Sequence, residues 1–301
     1  MGLSRAGQAR KEKNVTKEDF YKEMEKVLTA QKPEKMEIDF TRIDKPNRPG
    51  LHACILQMPG TATSPTFYFE DLYETCSNGA TPEELASALI DFAQKVQADP
   101  LGGIDFDDYE CVRKNLGLIV ISEKNNIEYL KKMVYRKYED LAVIPIIFTN
   151  DQSGVGCVKI KKSFLENWSV TEDEIFEEAV MNAPKITPPI FRGLNNTFGF
   201  PQEDDAPDLY VITNKYYAGG ASVAFYPGYL DAIEQVLGEL FILPSSVNEL
   251  IVVHDIGQDP EILLQIVKHV NRNEVDTGDV LSDAVYHYSH KDGFRKILPA
   301  D

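Results

Sequence analysis

The chain lacks the short patterns that announce a chemistry. It has no phosphate loop, no metal-ligand cluster and no nucleophile-elbow motif. Its four cysteines, Cys54, Cys76, Cys111 and Cys157, never fall at C-x-x-C spacing. That argues against zinc ribbons and thioredoxin-type redox motifs. Their apolar neighbours, as in Leu51-His52-Ala53-Cys54-Ile55, read as small buried thiols in a reducing, cytoplasmic compartment. No stretch reaches the ~18 uninterrupted apolar residues of a membrane span. The first residues lack the apolar core of a secretion signal, and Ala6 stands where a myristoylation signal needs Ser or Thr. No membrane partner and no cofactor are expected.

What the chain has is size and negative charge. Its 301 residues are 43% hydrophobic, enough for one large domain or two closely packed ones. The net charge is −17. The first sixteen residues carry +3, so the remaining body carries −20. Such a body repels phosphate backbones, which argues against direct nucleic-acid binding. Solubility explains the charge most simply. A sharper reading is an acidic surface that engages a basic protein or imitates nucleic acid. The charge is dilute for a mimic of a duplex carrying one charge per ~1.7 Å.

Three apolar hairpin-like stretches are each followed by a capped amphipathic helix. The helix starts are Thr81-Pro82-Glu83-Glu84, Thr171-Glu172-Asp173-Glu174 and Asp259-Pro260-Glu261. The first two are complete capping boxes, in which Thr and Glu satisfy each other's free N–H groups. The starts lie about 90 residues apart, a hint of duplicated units. The fold class expected is α+β, with antiparallel hairpins covered by these helices.

The rest of the chain follows from punctuation and periodicity. Residues 1–15 read as a flexible tail, 16–183 as an N-terminal α+β part, 184–208 as a linker rich in Pro, Asn and Gly, and 209–298 as a C-terminal α+β part. Thr16 should cap a helix burying Phe20, Met24, Val27 and Leu28. Strands are expected at 35–43, 51–58, 117–122, 141–149, 155–164, 209–213, 221–226, 240–243, 249–253 and 284–289. Further helices are expected at 67–76, 125–133 and 228–237. Pro145 points to an edge strand or a bulge. Asp105, Asp107 and Asp108 lack the calcium-loop pattern and read as a solvated helix start.

Several words are specific as a set. They include Leu165-Glu166-Asn167-Trp168-Ser169-Val170-Thr171, Tyr210-Val211-Ile212-Thr213-Asn214, Tyr226-Pro227-Gly228, Ile242-Leu243-Pro244-Ser245-Ser246-Val247-Asn248-Glu249 and Val280-Leu281-Ser282-Asp283-Ala284-Val285-Tyr286. Together they resemble a DUF5688-like family of unknown function from gut Clostridia, over roughly residues 16–298. The resemblance implies no activity. Because members of that family often sit on mobile elements, it implies host–element interplay as one setting. It also implies His more often at the position of Asn248, and Gly at that of Ser169. The Asn weakens the case for a general base at that hairpin.

Candidate chemistry is sparse. Ser245, Ser246, His254 and Asp283 are the types of a Ser–His–Asp hydrolase. A tight hairpin near Val247 and Asn248 would nonetheless hold the serines near Glu249, away from His254. Turn chemistry explains both serines, and a turn with its side chains bonded to backbone explains Ser282-Asp283. His287 and His290, three apart, would point to opposite faces of a strand, so no metal site is expected there. Gly154 with Gly156, and Gly219-Gly220, lie outside any strand-to-helix phosphate loop. Trp168 is read as packing between hairpin and helix, or as a partner hot spot. Trp168, Asn214, Ser245, Ser246, His254 and Asp283 are the candidate binding residues, with no catalytic residue or metal ligand assigned. The leading expectation is a non-catalytic intracellular binding protein acting on another protein. The alternatives are a hydrolase near Ser245, His254 and Asp283, or an acidic nucleic-acid mimic.

Overall fold

In a computed structural model the architecture is α+β, with antiparallel sheets. The structure describes residues 16–59, 64–96, 104–151, 154–194 and 209–299. The expected tail, 1–15, lies outside them, as does 195–208 of the expected linker. No helix among the described residues is long and apolar enough to cross a membrane.

Two compact units emerge. One comprises Met1–Ile43 with Gly50–Pro100, the other Asp44–Pro49 with Leu101–Asp301. These compact units divide near residue 100. Within the expected linker, Pro189–Gly193 is a strand paired to Leu209–Asn214. Pro189 and Gly193 of this stretch thus belong to a sheet edge.

The first unit packs three helices with a three-stranded sheet. Helix α1 (Lys17–Gln31) is capped by Thr16, whose side chain accepts from the Asp19 N–H. Strands β1 (Glu37–Lys45) and β2 (Arg48–Gln57) form a hairpin, and β3 (Thr66–Tyr68) pairs with β2. Thus Phe67, expected in a helix, lies in a strand opposite Cys54. Helix α2 (Phe69–Ser77) follows, and Gly79 at φ +112° takes the chain out of it. At the start of α3 (Pro82–Val96) the Glu84 N–H donates to Thr81 Oγ1 at 3.2 Å and the Thr81 N–H to Glu84 Oε2 at 2.9 Å. The core joins Phe20, Met24 and Leu28 of α1 to Leu56, Phe69, Leu89 and Ile90. Phe92, on the same helix as Leu89 and Ile90, is 45% exposed.

The second unit holds two sheets. Helix α4 (Tyr109–Arg113) is capped by Asp108, so the acidic cluster is a helix start as expected. Strand β4 (Leu116–Ser122) leads to α5 (Ile127–Leu130), shorter than expected because a 3-10 turn occupies Lys124–Asn126. Strands β5 (Arg136–Tyr138), β6 (Leu141–Asp151) and β7 (Gly154–Lys159) complete a four-stranded sheet centred on β6. Pro145 is therefore interior, with β4 on one side and β5 then β7 on the other. Its carbonyl accepts from the Ile160 N–H at 3.4 Å, so its ring nitrogen faces the same side, where the ladder passes from β5 to β7. A missing N–H is tolerated at that gap.

Helix α6 (Lys162–Trp168) takes Phe164 out of its expected strand. It ends on Ser169 at φ +55°, the left-handed region. That conformation explains why glycine suits this position. Helix α7 (Glu172–Ile186) starts in the expected capping box: Glu174 N–H donates to Thr171 Oγ1 at 3.2 Å, and Thr171 N–H to Glu174 Oε2 at 2.8 Å. Its Ile175, Phe176 and Ala179 face inward.

The larger sheet comprises β8 (Pro189–Gly193), β9 (Leu209–Asn214), β10 (Leu240–Leu243), β11 (Leu250–His254), β12 (Val285–Ser289) and β13 (Gly293–Leu298). Its order is β13-β12-β10-β11-β9-β8. The expected strand at 221–226 is instead a 3-10 helix, Gly220–Phe225. The alternation Ala221, Val223, Phe225 imitated a strand, but Gly220 through Ala224 are buried on every side. Gly219 turns the chain at φ +63°, and Gly220 lies so close to Thr213 and the Asn248 carbonyl that a Cβ would collide. Helix α8 (Tyr229–Leu237) and helix α9 (Pro260–Asn273) cover opposite faces. Leu240, Ile242 and Tyr286 share the α8 side with Leu230 and Ile233. Phe241, Leu243, Val253 and Val285 share the α9 side with Leu263, Leu264 and Val267. The hairpin-then-capped-helix plan thus recurs once per sheet, at α3, α7 and α9.

Candidate functional site

The β10–β11 ladder separates the residues nominated for a hydrolase. Leu240 pairs with His254 and Leu243 with Ile251. His254 therefore sits at one end of the hairpin and the serines beyond the other. At ~3.4 Å per residue, Ser245 is roughly 15 Å along the sheet from His254. Ser245 Oγ donates to the Glu249 carbonyl at 2.8 Å, and Ser246 Oγ accepts from the Asn248 N–H at 3.1 Å. Both hydroxyls close the turn. Asp283 accepts from Asn271 Nδ2 at 2.9 Å, on the side of α9. These groups are dispersed, so they form no acid–base set.

The other nominated residues are also held by local bonds. Asn214, buried, donates to the Ala218 carbonyl and accepts from the Tyr216 N–H. Trp168, 8% exposed, donates from Nε1 to the Phe106 carbonyl at 2.8 Å and packs on Tyr109 and Phe164. Its place is a packed joint of α6 with α4 and the loop before α4. Asn248 accepts the Gly219 N–H at 3.0 Å and donates to Asp279 at 3.3 Å, tying two loops. Burial, then the neighbouring Asp276, raises the Asp279 carboxyl above its ordinary range, against the Asn248 bond. These loops border a cleft of about 510 Å³ whose wall includes Arg48, Lys159 and Asp279.

Ser282 departs from the sequence reading. Its hydroxyl donates to Asp140 Oδ2 at 2.7 Å instead of to backbone. Tyr286 donates to the other oxygen, Oδ1, at 2.6 Å. Tyr286 is fully buried, and burial followed by the Asp140 charge pushes its phenol far above the ordinary value. A phenol so raised stays a donor at every working pH. This arrangement is a half-buried clamp between β12 and the turn before β6. Sequence could not reveal it, because its members lie 142 and 146 residues apart.

His287 and His290 do point to different sides. His290 Nδ1 lies 2.8 Å from Asp231 Oδ1 on α8. The same oxygen accepts from Tyr288 at 2.5 Å. The two bonds, Tyr288's first, hold the Asp231 carboxyl below its usual range. His287 Nε2 lies on the α9 side, 3.3 Å from both Glu239 Oε2 and Asp255 Oδ2. Among the described residues, this trio is the group whose donor atoms could share a metal ion. Sequence reasoning missed it. Glu239 and Asp255 flank β10 and β11, so only the pairing of three strands brings them to His287.

A surface feature remains. Ile262 and Ile266, one turn apart on the outer side of α9, are 60% and 48% exposed. With Gln265, Lys268, His269 and Arg272 they line a shallow groove of about 490 Å³. Leu263, Leu264 and Val267 already face the sheet, so α9 is apolar on two sides. The hydrophobic periodicity used to place the helix could not separate those two sides.

Comparison with known proteins adds a family and no chemistry. No curated protein and no solved structure matches this chain. A family model described as "Family of unknown function (DUF5688)" matches residues 17–290. With most of its length so matched, the chain belongs to the DUF5688 family.

Proposed function

We propose that this protein is a non-catalytic binding protein that recognises another protein through the outer face of α9. The observation that carries the reading is the exposed pair Ile262 and Ile266 on a helix whose opposite side is already packed. Exposed isoleucines a turn apart are what a helix-in-groove or helix-on-helix partner buries. The lining of this groove includes Lys268 and Arg272 and no carboxylate. A chain of net charge −17 therefore offers a locally cationic, apolar groove. An apolar segment flanked by carboxylates fits that groove better than the basic partner that net charge alone favours. The dispersal of Ser245, His254 and Asp283 supports binding over hydrolysis. The four free thiols, with burial pushing Cys54 up to about 12, fit a reducing cytoplasmic setting.

The test is affinity capture from the native host, comparing wild type with Ile262→Glu and Ile266→Glu. Both positions are exposed, so circular dichroism and thermal melting should be unchanged. The expected result is a protein retained by wild type and lost with each variant. A retained set identical for all three would refute the reading. Turnover abolished by His254→Ala or Ser246→Ala in a still-folded protein would do so as well.

A further inference from the structure

We infer that Glu239, Asp255 and His287 form a binding site for one divalent transition-metal ion of the zinc class. The site lies at one end of the larger sheet, on the face that α9 covers. Three neighbouring strands build it. Asp255 and Glu239 extend the β10–β11 ladder by one pair, with the Asp255 N–H donating to the Glu239 carbonyl at 2.8 Å. His287 pairs with Phe241, which pairs with Val253. Side chains two residues apart in a strand share a face, so Glu239 and Asp255 lie on the same side as Phe241, Val253 and His287.

The two distances from the imidazole match a tetrahedral ion. Bonds of about 2.0–2.1 Å to nitrogen and oxygen separate adjacent donors by about 3.3–3.4 Å. His287 Nε2 stands 3.3 Å from each carboxylate oxygen. All three donor atoms lie within 4.8 Å of one another. The imidazole is steadied by Phe241, whose ring meets it edge-on at 5.5 Å between centroids. A ligand fixed in this way loses little freedom when it coordinates.

The donor set selects the ion class. One imidazole and two carboxylates suit zinc, cobalt or manganese, whereas calcium and magnesium prefer oxygen alone. Two carboxylates and a neutral imidazole leave the zinc-loaded site without net charge. The side chain of His287 is 19% exposed, that of Asp255 25% and that of Glu239 61%. Water can therefore reach a fourth position. An imidazolium held between two carboxylates would show similar spacing, so the test must read the metal itself.

The experiment uses the full chain after chelator treatment, titrated with Co²⁺ and followed by its visible d–d absorption. The expected result is one equivalent of Co²⁺ giving the intense bands of a tetrahedral site, erased by Zn²⁺ and untouched by Mg²⁺. His287→Gln and Asp255→Asn should each weaken binding at least tenfold, the scale on which losing a supporting group acts. Glu239→Gln, at a mostly exposed position, keeps the fold and should weaken binding too. His52→Gln, at a histidine in the other unit, should leave it unchanged. Absence of the bands, or equal affinity in wild type and all three site variants, would overturn the assignment.

Discussion

The first unit is held by an apolar cluster drawn from neighbouring elements, and the second by apolar layers pinned with long-range polar bonds. In the first, Phe20, Met24, Leu28, Phe69 and Leu89 meet within about seventy residues of chain. In the second, Asp140 receives both Ser282 and Tyr286 from the far end of the sequence. Asn47 in the β1–β2 turn, which belongs to the second unit, adds another such pin. Its N–H donates to Asn126 Oδ1 at 2.7 Å and its Nδ2 to the Val280 carbonyl at 2.8 Å. Apolar burial is non-directional, so periodicity alone can assemble the first kind of core. Polar pins are directional and costly when half made, so they fix one arrangement of strands.

Breaking each kind of core should separate the two. The largest effect expected is Leu28→Ala, at a fully buried position in the first unit. A cavity there should cost about 3–4 kcal/mol in urea unfolding. Asp140→Ala should cost about 2–3 kcal/mol, because it strands the Tyr286 hydroxyl and the Ser282 hydroxyl in the interior. Replacing Tyr286 by Phe as well should recover part of that loss, since no phenol is then left without an acceptor. An Asp140→Ala protein as stable as wild type would erase the contrast between the two cores.

Smaller effects test the joint between α6 and α7. Thr171→Ala removes one half of a capping box and should cost about 0.5–2 kcal/mol. Two residues earlier the sign reverses. Ser169→Gly should stabilise by about 0.5–1 kcal/mol, because the φ of +55° strains a residue bearing Cβ. Equal melting temperatures for these two variants would show that cap and strain matter less than packing around Trp168.

The smallest effect is a pH dependence on the second unit's surface. The hydrogen bond and charge of Asp231 raise the His290 imidazole above its ordinary value. A folded value above the unfolded one means the pair stabilises fully below about pH 6.5 and fades as pH rises through the raised value. The melting-temperature advantage of wild type over His290→Ala should therefore be present near pH ~5 and absent near pH ~9. His290 is fully exposed to solvent screening, so the difference should be small. An advantage that grew with pH would reverse the assigned sign.

Local chemistry determined much of this protein. Thr16, Thr81 and Thr171 announced their helices because a cap needs only an oxygen three residues before its N–H. The α+β class, the β10–β11 hairpin and the turn roles of Ser245 and Ser246 followed from patterns within a few residues. The set of family words placed the chain in its family, and Ser169 marked where glycine would relax the backbone. Tertiary structure decided the rest. A strand-like alternation became the 3-10 helix at Gly220–Phe225, because all its sides are buried. Pro189–Gly193, expected in a linker, found a strand partner in Leu209–Asn214, and the compact units divide near residue 100. Pro145 became interior, because two short strands leave a gap opposite it. Glu239, Asp255 and His287 became neighbours only through strand register, and Ile262 and Ile266 became a surface only because Leu263, Leu264 and Val267 took the sheet. Pairing across a sheet depends on contacts far apart in the chain, and no local spacing encodes which distant side chains will share a face.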